Sequence, residues 1–285
     1  MDYRTLIQAP ELDALLNARP RRTIVFDCSF ELTNPGAGHQ QYLEAHVPWA
    51  QYLDLERDLS GPPNGHNGRH PLPYPAAFAI AMAAQGVCAS TQVVCYDNSA
   101  NACAARAWWM LRWIGHEKVA VLDGGLAAWT AAGLPLEKGA RTTPLRGDIQ
   151  LKPSLGKTVD RQALLANLDG GPLLVLDARS HERFIGESDP FEQIRGHIPG
   201  ARNRVFRDNL DASGRFKPGS QLKAEFDALT EGRAPDQLVT SCGSGVTACH
   251  NLLALEIAGL SGAALYPGSW SEWSNSGAPV ATGPA

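Results

Sequence analysis

Charge is scarce in this chain, and long apolar runs are missing. Asp, Glu, Lys and Arg make up only 19% of the 285 residues and leave a net charge of −4 with a pI near 6.1. That balance gives no reason to expect nucleic acid or an anionic membrane as a partner. No stretch approaches the roughly 18 apolar residues that a membrane span needs. The opening "MDYRTLIQAPELDALLNARP" carries acidic and polar residues and no apolar segment of the signal-peptide kind. Six cysteines (Cys28, Cys88, Cys95, Cys103, Cys242 and Cys249) form neither a dense disulfide framework nor a Cys-x-x-Cys pair. Eight histidines are scattered without metal-ligand spacing. The expectation is a cytoplasmic protein with free thiols and no metal.

What is present is a chain written twice. "TIVFDCS" (23–29), "AHVPWA" (45–50), "TQVVCYDN" (91–98) and "VAVLDGGLAAWTAAGLP" (119–135) fill the first half. "LLVLDARS" (173–180), "GHIPGA" (196–201), "QLVTSCGS" (237–244) and "AALYPGSWSEWSNSGAP" (263–279) follow in the same order in the second. Gly115 matches Gly259 and Trp129 matches Trp273, both at an offset of 144. The division this suggests is an N-terminal domain over residues 1–138, a polar linker at 139–157 containing two prolines, and a C-terminal domain over 158–285. Within each copy, short Val/Ile/Leu-rich runs alternate with helical patterns such as "ACAARAWWMLRWIG" and "TACHNLLALEIAGL". Such alternation predicts an α/β fold, two mostly parallel sheets with helices on both faces.

The loop "SCGSGVTACH" (241–250) lies between a strand pattern and a helix pattern, where ligands bind parallel sheets. Thiolate is the reactive form of cysteine, and backbone N–H groups at a helix start favour an anion there. Gly243 and Gly245 let the backbone curl around Cys242, while Ser244 and Thr247 add hydroxyl donors. Three familiar chemistries do not fit. A cysteine phosphatase needs arginine six residues after the cysteine, where Ala248 stands; the loop is not Gly-x-Ser-x-Gly; and it lacks the lysine of a phosphate-binding P-loop. Sulfur transfer through a Cys242 persulfide remains. Cys249, inside the helix pattern, reads as core, and the paired His46 and His197 read as structural.

The tandem repeat together with "GHIPGA", "CGSGVTAC" and "YPGSWSEW" resembles the tandem-domain rhodanese family across essentially the whole chain. The resemblance implies two rhodanese-like domains, only the C-terminal one carrying the persulfide cysteine. The offset of 144 places Asn98 opposite Cys242, so the N-terminal copy is expected to be non-catalytic. Thiosulfate-using members resemble C-R-K-G-V-T, whereas users of 3-mercaptopyruvate resemble the C-G-S-G-V-T found here. The resemblance implies that Gly243, Gly245, Val246 and Thr247 line the donor site and that Arg183, in "DARSHERF", holds its carboxylate. A second arginine normally follows in an "EPR" segment; this chain reads "ESDPFEQIRGHIPG", leaving Arg195 as the substitute nearby.

The family also implies a relay of Ser244, His70 and an acid, here Glu56, for moving protons during C–S cleavage. The implied acceptors are a small thiol, thioredoxin or cyanide, and no cofactor is implied because the persulfide carries the chemistry. The alternatives are thiosulfate as donor and a non-catalytic persulfide carrier.

Overall fold

The computed structural model describes residues 2–18, 22–141 and 145–284. The chain forms two compact units. The first comprises Met1–Gly61, Leu72–Leu155 and Ser213–Arg215, and the second comprises Pro62–Pro71, Gly156–Ala212 and Phe216–Ala285. A segment from the first half of the sequence, Pro62–Pro71, thus belongs to the second unit. Of the expected linker, Thr142–Pro144 lie outside the described residues. The part from Leu145 to Leu155 packs within the first unit, where Gly147, Ile149 and Lys152 donate N–H groups to Ala83, Val87 and Ile114 carbonyls.

The first unit holds strands β1 (Leu6–Ile7), β2 (Thr23–Asp27), β3 (Gln51–Tyr52), β4 (Gln92–Tyr96) and β5 (Val119–Leu122) in the order β1-β5-β4-β2-β3. The second holds β6 (Lys157–Thr158), β7 (Leu174–Asp177), β8 (Arg202–Asn203), β9 (Leu238–Ser241) and β10 (Ala264–Leu265) in the order β6-β10-β9-β7-β8. Every pairing is parallel, so the second sheet repeats the first strand for strand. In β4 and β9 every residue is buried, which is why both read as continuous apolar runs rather than alternating ones.

The repeat extends to individual side chains. Trp129 Nε1 donates to Pro135 O at 2.8 Å, and Trp273 Nε1 donates to Pro279 O at 2.8 Å. His46 Nδ1–H donates to Tyr42 O at 2.7 Å and His197 Nδ1–H to Phe184 O at 2.8 Å, each imidazole stacked on the ring of that same residue. The "H-[VI]-P" histidines therefore tie their own units together.

Strand register revises one expected correspondence. Asp27 pairs with Tyr96 across β2 and β4, and Asp177 pairs with Ser241 across β7 and β9. The next residue in each case makes the same bond: Cys28 N–H donates to Tyr96 O, and Ala178 N–H to Ser241 O. Tyr96 therefore corresponds to Ser241, and Asp97, not Asn98, corresponds to Cys242. The 144 offset holds for β5 and β10, where Val121 and Leu265 pair with the equivalent residues Cys95 and Thr240. The stretch from Tyr96 to Val121 is consequently one residue longer than the stretch from Ser241 to Leu265, which displaces any count made from landmarks beyond it.

Candidate active site

Cys242 follows β9 directly and precedes the helix Ala248–Ile257, so its loop sits at the carboxyl end of the sheet and at a helix start. The cysteine is 2% exposed, and Gly245 N–H donates to its Sγ at 3.2 Å. Gly245 has φ +80, and a Cβ there would collide with the Pro267 carbonyl oxygen, so glycine is required on both counts. Val246 is buried, and its carbonyl accepts Cys249 N–H at 3.0 Å, while Thr247 caps the helix and accepts His250 N–H at 3.1 Å. Cys249 lies within the helix, buried, its Sγ 3.4 Å from Gly245 O.

The motif "YPGSWSEW" holds this loop from behind. Trp270 and Ser271 donate N–H groups to the Cys242 and Gly243 carbonyls at 2.9 and 2.8 Å. Ser269 takes a left-handed conformation, φ 52, unusual for a residue with a side chain. It thereby accepts Cys242 N–H on Oγ at 3.0 Å and donates that hydroxyl to Tyr266 O at 2.9 Å. The Cys242 backbone is thus fixed on both its N–H and its C=O.

Ser244 and His70 meet inside the second unit, with Ser244 Oγ 2.7 Å from His70 Nδ1 and both residues buried. Glu56 lies in the first unit, exposed in a turn where its N–H and that of Arg57 both donate to Asp54 Oδ1 at 2.9 Å. Arg183, on the short helix His181–Ile185, donates from Nη2 to the buried Asp189 at 3.1 Å. Arg179, fully buried and stacked on Trp270, grips Asp177 and also reaches Asp189. Burial works against the Arg179 charge, but Asp177 and Asp189 more than offset it and hold its pKa up. Arg195 is exposed and donates to Glu187 O at 3.1 Å.

One residue beside the cysteine loop went unnoticed in the sequence. A Cβ built on Gly243 would lie 3.1 Å from Arg183 Nη2 and 3.3 Å from Arg69 Nη2. Two guanidinium groups therefore close on the same glycine. The adjacent "RH" of "NGRHPLP" was the available signal, since it places Arg69 beside a residue already singled out.

A Rhodanese-like domain model matches residues 8–132 and again 160–276. The chain belongs to the rhodanese family. It is a tandem-domain rhodanese and an enzyme of sulfur transfer. It is 49% identical over 287 residues to a probable 3-mercaptopyruvate sulfurtransferase of Pseudomonas aeruginosa, covering 99% of this chain and 100% of that protein. A putative thiosulfate sulfurtransferase, SseB of Mycobacterium tuberculosis, is 37% identical, with 95% of this chain and 94% of that protein covered. The crystal structure of SseA from Escherichia coli, described as a 3-mercaptopyruvate sulfotransferase, superposes with a TM-score of 0.80 at 34% identity. That match covers 95% of this rhodanese and all of the other chain. No described helix is long and apolar enough to cross a membrane.

Proposed function

We propose that this rhodanese takes sulfur from 3-mercaptopyruvate onto Cys242 and passes it to a thiol acceptor, thioredoxin among the candidates, or to cyanide in an assay. The observation that carries the reading is the Gly245 N–H donating to a buried Cys242 Sγ at 3.2 Å, in a loop with no basic residue between Cys242 and Thr247. Among the described residues, the N–H groups of Ser244, Val246 and Thr247 have no protein partner. They are free to receive the outer, anionic sulfur of a persulfide.

The chemistry balances without a cofactor. The Cys242 thiolate attacks the donor sulfur, an S–S bond forms, and the C–S bond breaks to leave the enolate of pyruvate. The proton carried by the donor's thiol ends on the enolate carbon, giving pyruvate and an enzyme persulfide anion. His70 and Ser244, 2.7 Å apart, supply the groups that relay it. A buried thiolate needs such neighbours, because burial alone favours the neutral thiol.

Thiosulfate is the second reading, favoured by the Mycobacterium tuberculosis relative's name and by the two arginines at Gly243. Comparing kcat/KM for the two donors decides between them. The persulfide is tested by mass spectrometry of the Cys242 peptide after incubation with 3-mercaptopyruvate. A gain of one sulfur atom, removed by cyanide, is the expected result; a Cys242→Ser variant that still transfers sulfur from either donor would sink the mechanism. A cytoplasmic location belongs to the same proposal and agrees with the six free cysteines.

A further inference from the structure

His70 reaches Ser244 from a segment that no ladder of backbone bonds holds. Pro62–Pro71 forms neither helix nor strand. The bonds among Asn64, His66, Asn67 and Pro62 tie only the segment's own exposed tip. A proton relay nevertheless needs the imidazole fixed. Its Nδ1 lies 2.7 Å from Ser244 Oγ, and a displacement of about 1 Å would break that bond.

The residue that seats the segment is Ser271. Its hydroxyl accepts Arg69 N–H at 3.0 Å, one residue before His70, and donates to Gly268 O at 3.2 Å. Its own N–H donates to Gly243 O at 2.8 Å, one residue after Cys242. Its carbonyl accepts Asn275 Nδ2 at 2.9 Å. One buried serine thus ties the backbone beside the histidine to the backbone beside the cysteine. Gly68 lies on the same platform. It has φ +83, and a Cβ there would sit 2.7 Å from Gly268 O and 3.0 Å from Ser271 Oγ. Gly68, Arg69 and His70 therefore meet Gly268, Ser271 and Ser244 in succession.

The first unit shows what the turn needs without a histidine to hold. The offset of 144 pairs Ser269 with Gly125 and Ser271 with Ala127. The backbone is alike in both copies: Leu126 N–H donates to Asp97 O at 3.3 Å, as Trp270 N–H does to Cys242 O. Gly125 has φ +57, against +52 for Ser269. The turn thus forms without a hydroxyl at the place of Ser271. That hydroxyl is present in the copy where a loop must be fastened beside the cysteine.

We propose that Ser271 is a positioning residue of the relay: it latches the Gly68–His70 backbone onto the cysteine loop, Gly68 permits the close approach, and His70 is kept within reach of Ser244. The assignment rests on the reading of His70 and Ser244 as the groups that move the proton during sulfur transfer from 3-mercaptopyruvate. It adds to that reading a residue that acts through His70 and not on the donor.

The test is a double-mutant cycle in the full-length enzyme, with 3-mercaptopyruvate as donor. Ser271→Ala is expected to lower kcat about tenfold and leave KM within about twofold of wild type. Ser271→Thr, which keeps the hydroxyl, should recover most of the loss. Gly68→Ala, which pushes the same backbone away, should reproduce it. In a His70→Ala background, Ser271→Ala should cost nothing further. Alkylation of Cys242 by iodoacetamide forms an S–C bond and releases iodide, and no carbon takes up a proton. Its rate in Ser271→Ala should stay within about twofold of wild type.

A Ser271→Ala loss of the same size in the His70→Ala background would make the serine's effect independent of the histidine and overturn the proposal. So would equal losses of turnover and alkylation, or a Ser271→Ala enzyme with wild-type kcat. If His70→Ala itself turned over 3-mercaptopyruvate like wild type, the relay reading would fail and the latch would fall with it. A loss in His70→Ala that Ser271→Ala does not share would overturn the latch alone.

Discussion

The loops after β4 and β9 occupy the same place in two copies of one fold, yet they enclose different groups. In the second unit the loop surrounds a sulfur atom that receives one N–H, from Gly245. In the first it closes on a carboxylate of its own. Asp97 Oδ1 accepts the N–H groups of Ser99 and Asn101 at 2.8 Å, and Oδ2 accepts those of Cys103 and Ala104 at 2.8 and 2.9 Å. The chain wraps both oxygens, with Asn101 in the left-handed region at φ 59. The first copy has thus filled its cradle with its own carboxylate, while in the second the N–H groups of Ser244, Val246 and Thr247 have no protein partner and are the ones we propose receive a transient anion. The same strand-to-helix geometry yields a structural knot in one case and the proposed reactive site in the other.

This contrast can be broken at either end. Cys242→Ala should reduce sulfur transfer at least about 10³-fold while leaving thermal stability near wild type, since a nucleophile has no substitute. A variant retaining activity would place the reactive thiol elsewhere. Asp97→Ala should do the opposite. It strands four N–H groups, three of them buried, and is expected to cost about 3 kcal/mol or more of stability, read by urea unfolding, while the persulfide still forms on Cys242 in the folded fraction. A fully stable Asp97→Ala protein would show that the cradle does not depend on its carboxylate.

The next effect in size belongs to the proposed proton relay. His70→Ala removes the partner of Ser244 and is expected to lower kcat with 3-mercaptopyruvate about 10²-fold. Alkylation of Cys242 by iodoacetamide, which needs no proton delivery to a leaving carbon, should fall far less.

The smallest effect distinguishes the two units by pH. Burial lifts the Asp97 pKa above the ordinary carboxylate value despite its four N–H bonds, which pull it down. A raised folded pKa means that this group's contribution is largest below the unfolded pKa and is lost as pH rises through the folded one. Glu225, in the second unit, has the reverse sign. Burial opposes its charge, but bonds from Arg204, Lys217 and Gln221 outweigh that and hold it down to about 2. Its contribution is present above the normal value of 4.5 and disappears as pH falls towards 2. Denaturant midpoints of Glu225→Gln and wild type should therefore converge on acidification, and a gap that persisted at low pH would refute the pairing.

Much of this was legible because it is local. Apolar runs of strand length, glycines at loop positions and the ordered recurrence of motifs specified two α/β units and put Cys242 between a strand and a helix. His70 and Arg183 were singled out by the company they keep, "NGRHPLP" and "DARSHERF". The one-residue error at Asn98 arose because the offset was counted from helix landmarks. The extra residue lies between Tyr96 and Gly115, ahead of those landmarks, and hydrogen-bonded register reveals it. Arg69 was missed for a different reason: a cation in a polar loop has no periodicity, and its partners Glu192, Phe191 and Ser271 lie more than a hundred residues away.

By itself the sequence determined which residues could be reactive and which elements would carry them, since periodicity, glycine placement and motif order act over a few residues. The tertiary structure alone decided what surrounds the sulfur. It set Asp97 in the corresponding place of the first unit, turned Ser269 and Trp270 against the Cys242 backbone, and brought Arg69 and Arg183 to one glycine. Each of these is a contact between distant segments, made when the sheet's register and the packed loops bring them within hydrogen-bonding reach.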